Sequence, residues 1–439
     1  QRSHMKNPTI EIRTHLGKNQ DAVDSALSEL SNNKIISRIW AQDHTVWKSN
    51  PAEITNRLGW LDIAERMSAE ANRMTTLKNQ LQVEGYTQAL LLGMGGSSLA
   101  PEVFSKTFTG DVSGLELSVL DSTDPNAVLD QVSRLNLRHT IFIVSTKSGG
   151  TVETLSLFKF FYNKVLSEFG ENEAGSHFIA ITDPGSNLEG LAKELKFRQT
   201  FLNDPNIGGR FSVMSFFGLV PAALVGLDIT KLIERTVKMA QACREADSIV
   251  QNPAALLGTI MGVLNSKGQD KITFVTSPEI LSFGDWVEQL IAESTGKAGK
   301  GILPVVGEKL GKPNVYGNDR IFVHLRLGDD NADIPALKDL AHAGHPVLHL
   351  QLIDIYDLGA QFFLWEFATA VASYFLKINP FDQPNVESAK IQARKMVAEY
   401  EKTGKLPVVH YQALTDDALA SFLTNSVPGD YISLQAYVN

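Results

Sequence analysis

From Tyr86 onward the chain repeats one rhythm, a short apolar run, a loop and a helical pattern, and this alternation limits the folds open to it more than any other feature. The runs at 89–92, 117–120, 140–144 and 178–181 are each followed by helix-forming residues. Strands that alternate with helices imply a parallel sheet. Runs that are apolar on both faces need helices above and below, and right-handed crossovers then give three layers. A second set begins after a helical stretch at 229–264, with candidate strands at 272–276, 320–325 and 346–350. The expected fold is α/β: two tandem three-layer αβα doubly wound parallel-sheet domains with helical N- and C-terminal extensions. Their expected bounds are 6–80 for the N-terminal helical extension, 81–227 and 228–402 for the two domains, and 403–439 for a tail with one amphipathic pattern at 416–423. Residues 1–5 read as the remnant of an expression tag.

Length and charge narrow the function. A chain of 439 residues with 43% hydrophobic content can bury a large core. Its net charge of −9 gives no general attraction to nucleic acid or to an anionic membrane surface, so a small anion needs a local positive site. Cys243 is the single cysteine, which excludes an internal disulfide and suits a reducing, cytoplasmic location. The apolar stretch 358–378 carries Gln361, Glu366 and Ser373, and so reads as a buried helix rather than a membrane span. No His/Cys/Asp spacing suggests a metal site, and no cofactor is expected.

Two strand ends attract attention. Gly93-Met94-Gly95-Gly96-Ser97-Ser98 follows the first apolar run and opens a helix, where open α/β sheets place ligands. Glycines let backbone approach an anion, and a helix N-terminus offers unpaired N–H groups. Gly96 and Ser97 are the candidate contacts. Neither the dinucleotide fingerprint nor the Walker pattern is matched. Thr146-Lys147-Ser148-Gly149-Gly150-Thr151 follows the third run and again opens a helix, so Thr146, Lys147, Ser148 and Thr151 supply four groups able to bond a phosphate. Each cluster alone is also what an ordinary helix cap looks like. Two in one sheet favour a shared anion site.

Strand, Ser-x-Ser/Thr-Gly-x-Thr, helix resembles the pattern of sugar isomerase (SIS) domains, and further segments resemble phosphoglucose isomerases. Asn206-Ile207-Gly208-Gly209-Arg210-Phe211-Ser212 is similar to that family's Gly-Gly-Arg-Phe/Tyr-Ser signature. Glu293-Ser294-Thr295-Gly296-Lys297 is similar to the segment around its catalytic glutamate. Phe381-Asp382-Gln383-Pro384-Asn385-Val386-Glu387, ending in Lys390, is similar to its C-terminal signature. Residues 379–387, 301–305 and Trp40-Ala41-Gln42-Asp43-His44 look closest to the isomerase half of bifunctional transaldolase/phosphoglucose isomerases. The chain is then either a stand-alone relative or a domain from a longer parent fused to a transaldolase.

The resemblance implies two SIS-type domains and a cytoplasmic enzyme of glycolysis and gluconeogenesis that interconverts aldose and ketose hexose 6-phosphates without a metal. It makes Glu293 the base that moves a proton between C2 and C1, since a carboxylate is ionised at neutral pH and regenerated each turnover. Arg210 is the fixed cation beside the developing enediolate, with Gly209 allowing close backbone approach. Gln289, four residues before Glu293 on a helix expected at 283–294, bonds substrate oxygens beside the base. Gln383 contacts phosphate or sugar, Lys390 handles the ring oxygen, and Glu387 is structural. The family's ring-opening histidine motif is not reproduced in 306–329. Among His324, His342, His345 and His349, the candidate is His345, between Gly344 and Pro346 at a strand start. A non-catalytic sugar-phosphate binder, or an isomerase of mannose or amino-sugar phosphates, remains the alternative reading.

Overall fold

A computed structural model describes residues 2–3, 11–110, 113–245, 249–408, 411–427, 430 and 432–434, except for the side chains at 2, 3, 11, 385 and 387. The structural role expected of the Glu387 side chain, and residues 1, 4 and 5 of the tag-like start, lie outside the described residues. The described strands are β1 (Arg2–Ser3), β2 (Glu11–His15), β3 (Gln88–Gly93), β4 (Glu116–Leu120), β5 (Thr140–Ser145), β6 (Phe178–Thr182), β7 (Gln199–Leu202), β8 (Lys271–Thr276), β9 (Leu303–Val305), β10 (Arg320–Leu327) and β11 (Val347–Leu352).

The protein is an α/β protein with two sheets. The first has the order β4-β3-β5-β6-β7 and is parallel throughout. Its side chains alternate by strand parity. Leu90, Leu92, Phe142, Val144 and Phe178 meet Leu157, Phe158, Phe161 and Val165 of the Val152–Phe169 helix. Ala89, Leu91, Ile141, Ile143 and Ile179 face the opposite way, into the core that includes Ala100, Val103 and Phe104 of the Leu99–Thr107 helix. The second sheet has the order β1-β2-β11-β10-β8-β9, with β8 to β11 mutually parallel and β2 antiparallel on β11.

One face of each sheet contributes to the same apolar core. Ile272, Phe274, Val323, Leu348 and Leu350 belong to the cluster that also holds Ala89, Leu91 and Ile143. The Leu358–Leu376 helix lies inside this core with Phe362, Trp365 and Phe367 fully buried, so the apolar stretch expected as a buried helix is one. Among the described residues, no helix is long and apolar enough to cross a membrane. Residues Gln1–Gln383 form one compact unit, and Pro384–Asn439 a second that contains the Pro384–Thr403 and Asp416–Thr424 helices. The boundary expected after 402 lies inside the second of these units. Likewise, the expected N-terminal helical extension includes β2, whose Ile12 is buried and whose backbone pairs with β11.

The stretch expected as helical over 229–264 divides into Ile229–Arg244 and Pro253–Ser266. The second helix restarts because the Asn252 Oδ1 accepts from Ala255 N at 2.9 Å, and Pro253 suits the first helical turn.

Glu366 is the least comfortable residue of the core. It is 1% exposed, its Oε1 has no hydrogen-bond partner among the described residues, and burial pushes its carboxyl well up. A carboxyl whose folded pKa is raised destabilises the fold as pH rises above its unfolded value of about 4.3. Glu366→Met is therefore expected to stabilise the protein by about 1–3 kcal/mol at pH 8, and by less at pH 5, in urea unfolding curves.

Candidate active site

In the first sheet the chain steps from β3 outward to β4 and then back across to β5, so the strand order reverses between β3 and β5. Such a reversal opens a crevice at the carboxyl ends of the two strands. Both candidate loops lie there. Gly95 has φ +57°, and a Cβ on it would stand 2.9 Å from the Gln289 Nε2. Gly96 lies so close to Gly209 that a Cβ would sit 2.4 Å from the Gly209 carbonyl oxygen. The Ser145 hydroxyl donates to the Ser97 carbonyl at 3.3 Å, tying the end of β5 to the glycine loop. The residues singled out in 93–98, 208–210 and 289–293 thus converge.

In the second loop, Thr146 Oγ1 and Thr151 Oγ1 share a hydrogen bond of 2.9 Å. Thr151 precedes the Val152–Phe169 helix without capping it through its side chain. Ser148 is exposed, and its Oγ accepts from Gly150 N at 3.3 Å. Lys147 has other partners: its ammonium pairs with Asp183 and donates to the Pro205 carbonyl at 2.8 Å. Burial raises the Asp183 carboxyl, against the opposing pull of Lys147.

The Phe283–Thr295 helix buries Phe283, Trp286, Val287, Leu290 and Ile291, an apolar stripe at helical spacing. That leaves Gln289 and Glu293, one turn apart, on another face. Gln289 Nε2 donates to Glu293 Oε2 at 3.2 Å, and Glu293 Oε1 lies 3.6 Å from Arg210 Nε. The Glu293 side chain keeps 23% exposure, so it is reachable, whereas Arg210 keeps only 5%. Every terminal nitrogen of Arg210 is engaged. Nη1 donates to Ser294 Oγ at 2.7 Å and to the Pro380 carbonyl at 3.0 Å. Nη2 donates to the carbonyls of Phe381 at 3.1 Å and Asp382 at 3.0 Å. Burial lowers the pKa of this guanidinium, and Glu293 and Asp382 oppose the shift.

His345 is not brought to this group. It packs edge-on against Phe322 and Tyr316. Phe322 belongs to the cluster with Leu337 and Leu340 on one face of the second sheet, while the Phe283–Thr295 helix packs in the core on the other. His345, in the loop before β11, thus packs on the face of the second sheet away from that helix. His324 and His349 oppose each other on β10 and β11, Nδ1 to Nδ1 at 3.1 Å; burial lowers the pKa of both, that of His324 to about 4. Gln383 closes the first unit, and Lys390 stands on the Pro384–Thr403 helix of the second.

Two partners were not anticipated. Lys297 Nζ donates to both the carbonyl and the Oδ1 of Asp382, each at 2.6 Å, with the lysine 8% exposed. Burial lowers its pKa against the pull of Asp382. Both residues stand inside the quoted signatures, which was the available signal. Asp183 had none. Among the described residues, no three His, Cys, Asp or Glu side chains gather as metal ligands would.

One parallel and one mixed sheet with a shared core, and a glycine-lined crevice beside a carboxylate on a helix, give an α/β fold of the SIS type. A glucose-6-phosphate isomerase from Chlamydia trachomatis has the same fold, with a TM-score of 0.77 at 15% identity, covering 96% of this chain and 93% of that one. A hypothetical protein from Thermus thermophilus gives 0.74 at 22% identity, covering 88% and 100%. A model of the family "Phosphoglucose isomerase" matches residues 62–302, more than half of the sequence, and the chain belongs to that family. The glucose-6-phosphate isomerase of Mycoplasmopsis pulmonis is 28% identical over 423 residues, covering 85% of this chain and 98% of the relative. That of Streptococcus pyogenes is 29% identical over 397 residues, covering 79% and 87%.

The approach of Gly96 to Gly209 sets a test. Gly96→Ala must push two loops apart and is expected to cost about 1–3 kcal/mol in thermal unfolding together with most substrate affinity. Gly150→Ala, whose nearest neighbour would be Ser148 Oγ at 3.9 Å, should leave both nearly unchanged.

Proposed function

We propose that this chain interconverts glucose 6-phosphate and fructose 6-phosphate through an enediolate. The observation that carries the reading is a reachable carboxylate, Glu293, held between Gln289 and Arg210 beside the Gly95–Ser97 turn. Membership of the phosphoglucose isomerase family supports it.

In this mechanism the sugar phosphate lies across the crevice. Its phosphate meets the 93–98 loop, with Gly96 and Ser97, and the 146–151 loop, with the hydroxyls of Thr146, Ser148 and Thr151. Once the ring is open, Glu293 takes the proton from C2 of the aldose, and the electron pair moves toward the C1 oxygen to give the enediolate. A proton then passes from the C2 hydroxyl to the C1 oxygen, and as the C2 carbonyl forms the protonated Glu293 returns its own proton to C1, giving the ketose and restoring the carboxylate. A carbon acid loses its proton to a carboxylate only where developing oxyanion charge meets fixed positive charge. Arg210 supplies that field, with its Nε 3.6 Å from Glu293 Oε1. Gln289 orients the base and offers its amide to the substrate oxygens. Gln383 and Lys390 are assigned to sugar contacts on the strength of their signature. Ring opening is not assigned to His345, which is 7% exposed and packed among aromatic rings. A cytoplasmic location suits the substrate and the buried, unpaired thiol of Cys243.

A coupled assay in the fructose-to-glucose direction tests the reaction; a folded protein that binds the sugar phosphate without turnover would refute it. Glu293→Gln keeps the size and shape of the side chain, and an oxygen for Gln289 Nε2 to donate to, but removes the base. Its kcat is expected to fall by about 10²–10⁴ with KM changed little, and near-normal turnover would remove Glu293 from the role.

A further inference from the structure

The two cations expected at the site have their donors committed elsewhere. Lys147 is held by Asp183 and the Pro205 carbonyl, and all terminal nitrogens of Arg210 go to Ser294 and the 380–382 carbonyls. The remaining Arg210 nitrogen, Nε, faces Glu293. A phosphate dianion bound only by backbone N–H groups and hydroxyls lacks a charge partner, and charge-assisted hydrogen bonds are about twice as strong as neutral ones.

A third cation, Arg57, stands at the crevice, delivered by the N-terminal segment. Leu58 forms an antiparallel bridge with Ile207, and Gly59 N donates to the Asn206 carbonyl at 3.0 Å. This seam lays Arg57 against the turn that carries Arg210. A Cβ on Gly208 would meet the Arg57 Cδ at 3.6 Å, so the arginine stem covers that glycine. Its charge lies close enough to Arg210 and Asp183 to pull down the pKa of each. The side chain is 21% exposed and lightly committed. Nη1 donates to the adjacent Asn56 carbonyl at 3.0 Å, and Nη2 lies 3.4 Å from Glu53, a carboxylate that is itself 50% exposed. The other carboxylates nearby have cations of their own: Asp183 pairs with Lys147, and Asp204 with Arg66 at 2.8 Å.

We propose that Arg57 is a phosphate-binding residue of this site, exchanging its weak contact with Glu53 for the phosphate group of the substrate. The assignment to a sugar phosphate rests on the isomerase reading; the assignment to an anion does not.

The experiment titrates inorganic phosphate into the full chain by calorimetry, alongside isomerase kinetics, for wild type, Arg57→Met, Arg57→Lys and Glu53→Gln. Arg57→Met is expected to weaken phosphate binding by about ten-fold or more and to raise KM in parallel, with kcat within a few-fold of wild type. Arg57→Lys should fall between them, since it keeps the charge and loses the fork. Glu53→Gln should tighten phosphate binding, an outcome a purely structural Arg57–Glu53 pair does not produce. If Arg57→Met unfolds, the other two variants decide: wild-type phosphate binding in both overturns the proposal. A fall in kcat with KM and phosphate binding unchanged also overturns it. Phosphate binding through Arg57 without turnover would defeat the isomerase reading alone, and turnover indifferent to Arg57 would defeat this proposal alone.

Discussion

The buried guanidinium of Arg210 is the interaction on which the site depends. A planar cation with donors in a fixed fork can bond four acceptors at once only if they are held in its plane, and here they come from two places far apart in sequence, Ser294 and the 380–382 backbone. Taking such a charge out of water costs several kcal/mol unless every donor is met. Both terminal nitrogens are met, and Glu293, 3.6 Å from Nε, supplies the counter-charge. The turn after Gly209, the end of the Phe283–Thr295 helix and the loop before Pro384 therefore hold a common geometry. Loss of any one of them would leave Arg210 a buried cation with missing partners.

Two lysines repeat the device on a smaller scale. Each ammonium is shared between one carboxylate and a main-chain carbonyl: Lys147 between Asp183 and Pro205, Lys297 between the side chain and backbone of Asp382. A flexible cation that grips backbone fixes a loop without demanding a particular side chain there. Lys147 fixes the approach to the Gly-Gly-Arg turn from the first sheet, and Lys297 fixes the loop that leads to Gln383. The cations of the site thus serve mainly to hold its walls in place.

The strands were legible where both faces were apolar. β3, β5 and β6 are buried along nearly their whole length, so continuous runs such as Ile141 to Val144 announced them. β7, β9 and β2 were not legible, because Gln199–Leu202 buries one large residue, Leu303–Val305 contains a proline, and Glu11–His15 has one apolar side chain. Glu293, Gln289, Arg210 and Gly96 could be named from their motifs. What surrounds them could not, since the acceptors of Arg210 are mostly main-chain carbonyls and any residue types at 380–382 would offer them. His345 shows the converse. Its flanking Gly344 and Pro346 suggested a loop end near ligand, but the loop precedes β11 and His345 packs against Phe322 and Tyr316, and the neighbours in sequence do not encode those partners.

The pairing of β2 with β11 joins Arg13 to His349, residues separated by more than three hundred positions. Closing so long a loop costs entropy before any contact repays it, and folds rich in such pairings assemble slowly. As the chain emerges during synthesis, the first sheet can form from local crossovers, but the flank of β11 that receives β2 exists only once residues 347–352 have been made. Until then Glu11–His15 remains a short strand without its partner. Its single apolar side chain and its charged Glu11 and Arg13 suit a segment that must wait without recruiting another copy. The feature that made β2 invisible in the sequence is thus also what lets it stay harmless while the rest of the protein is made.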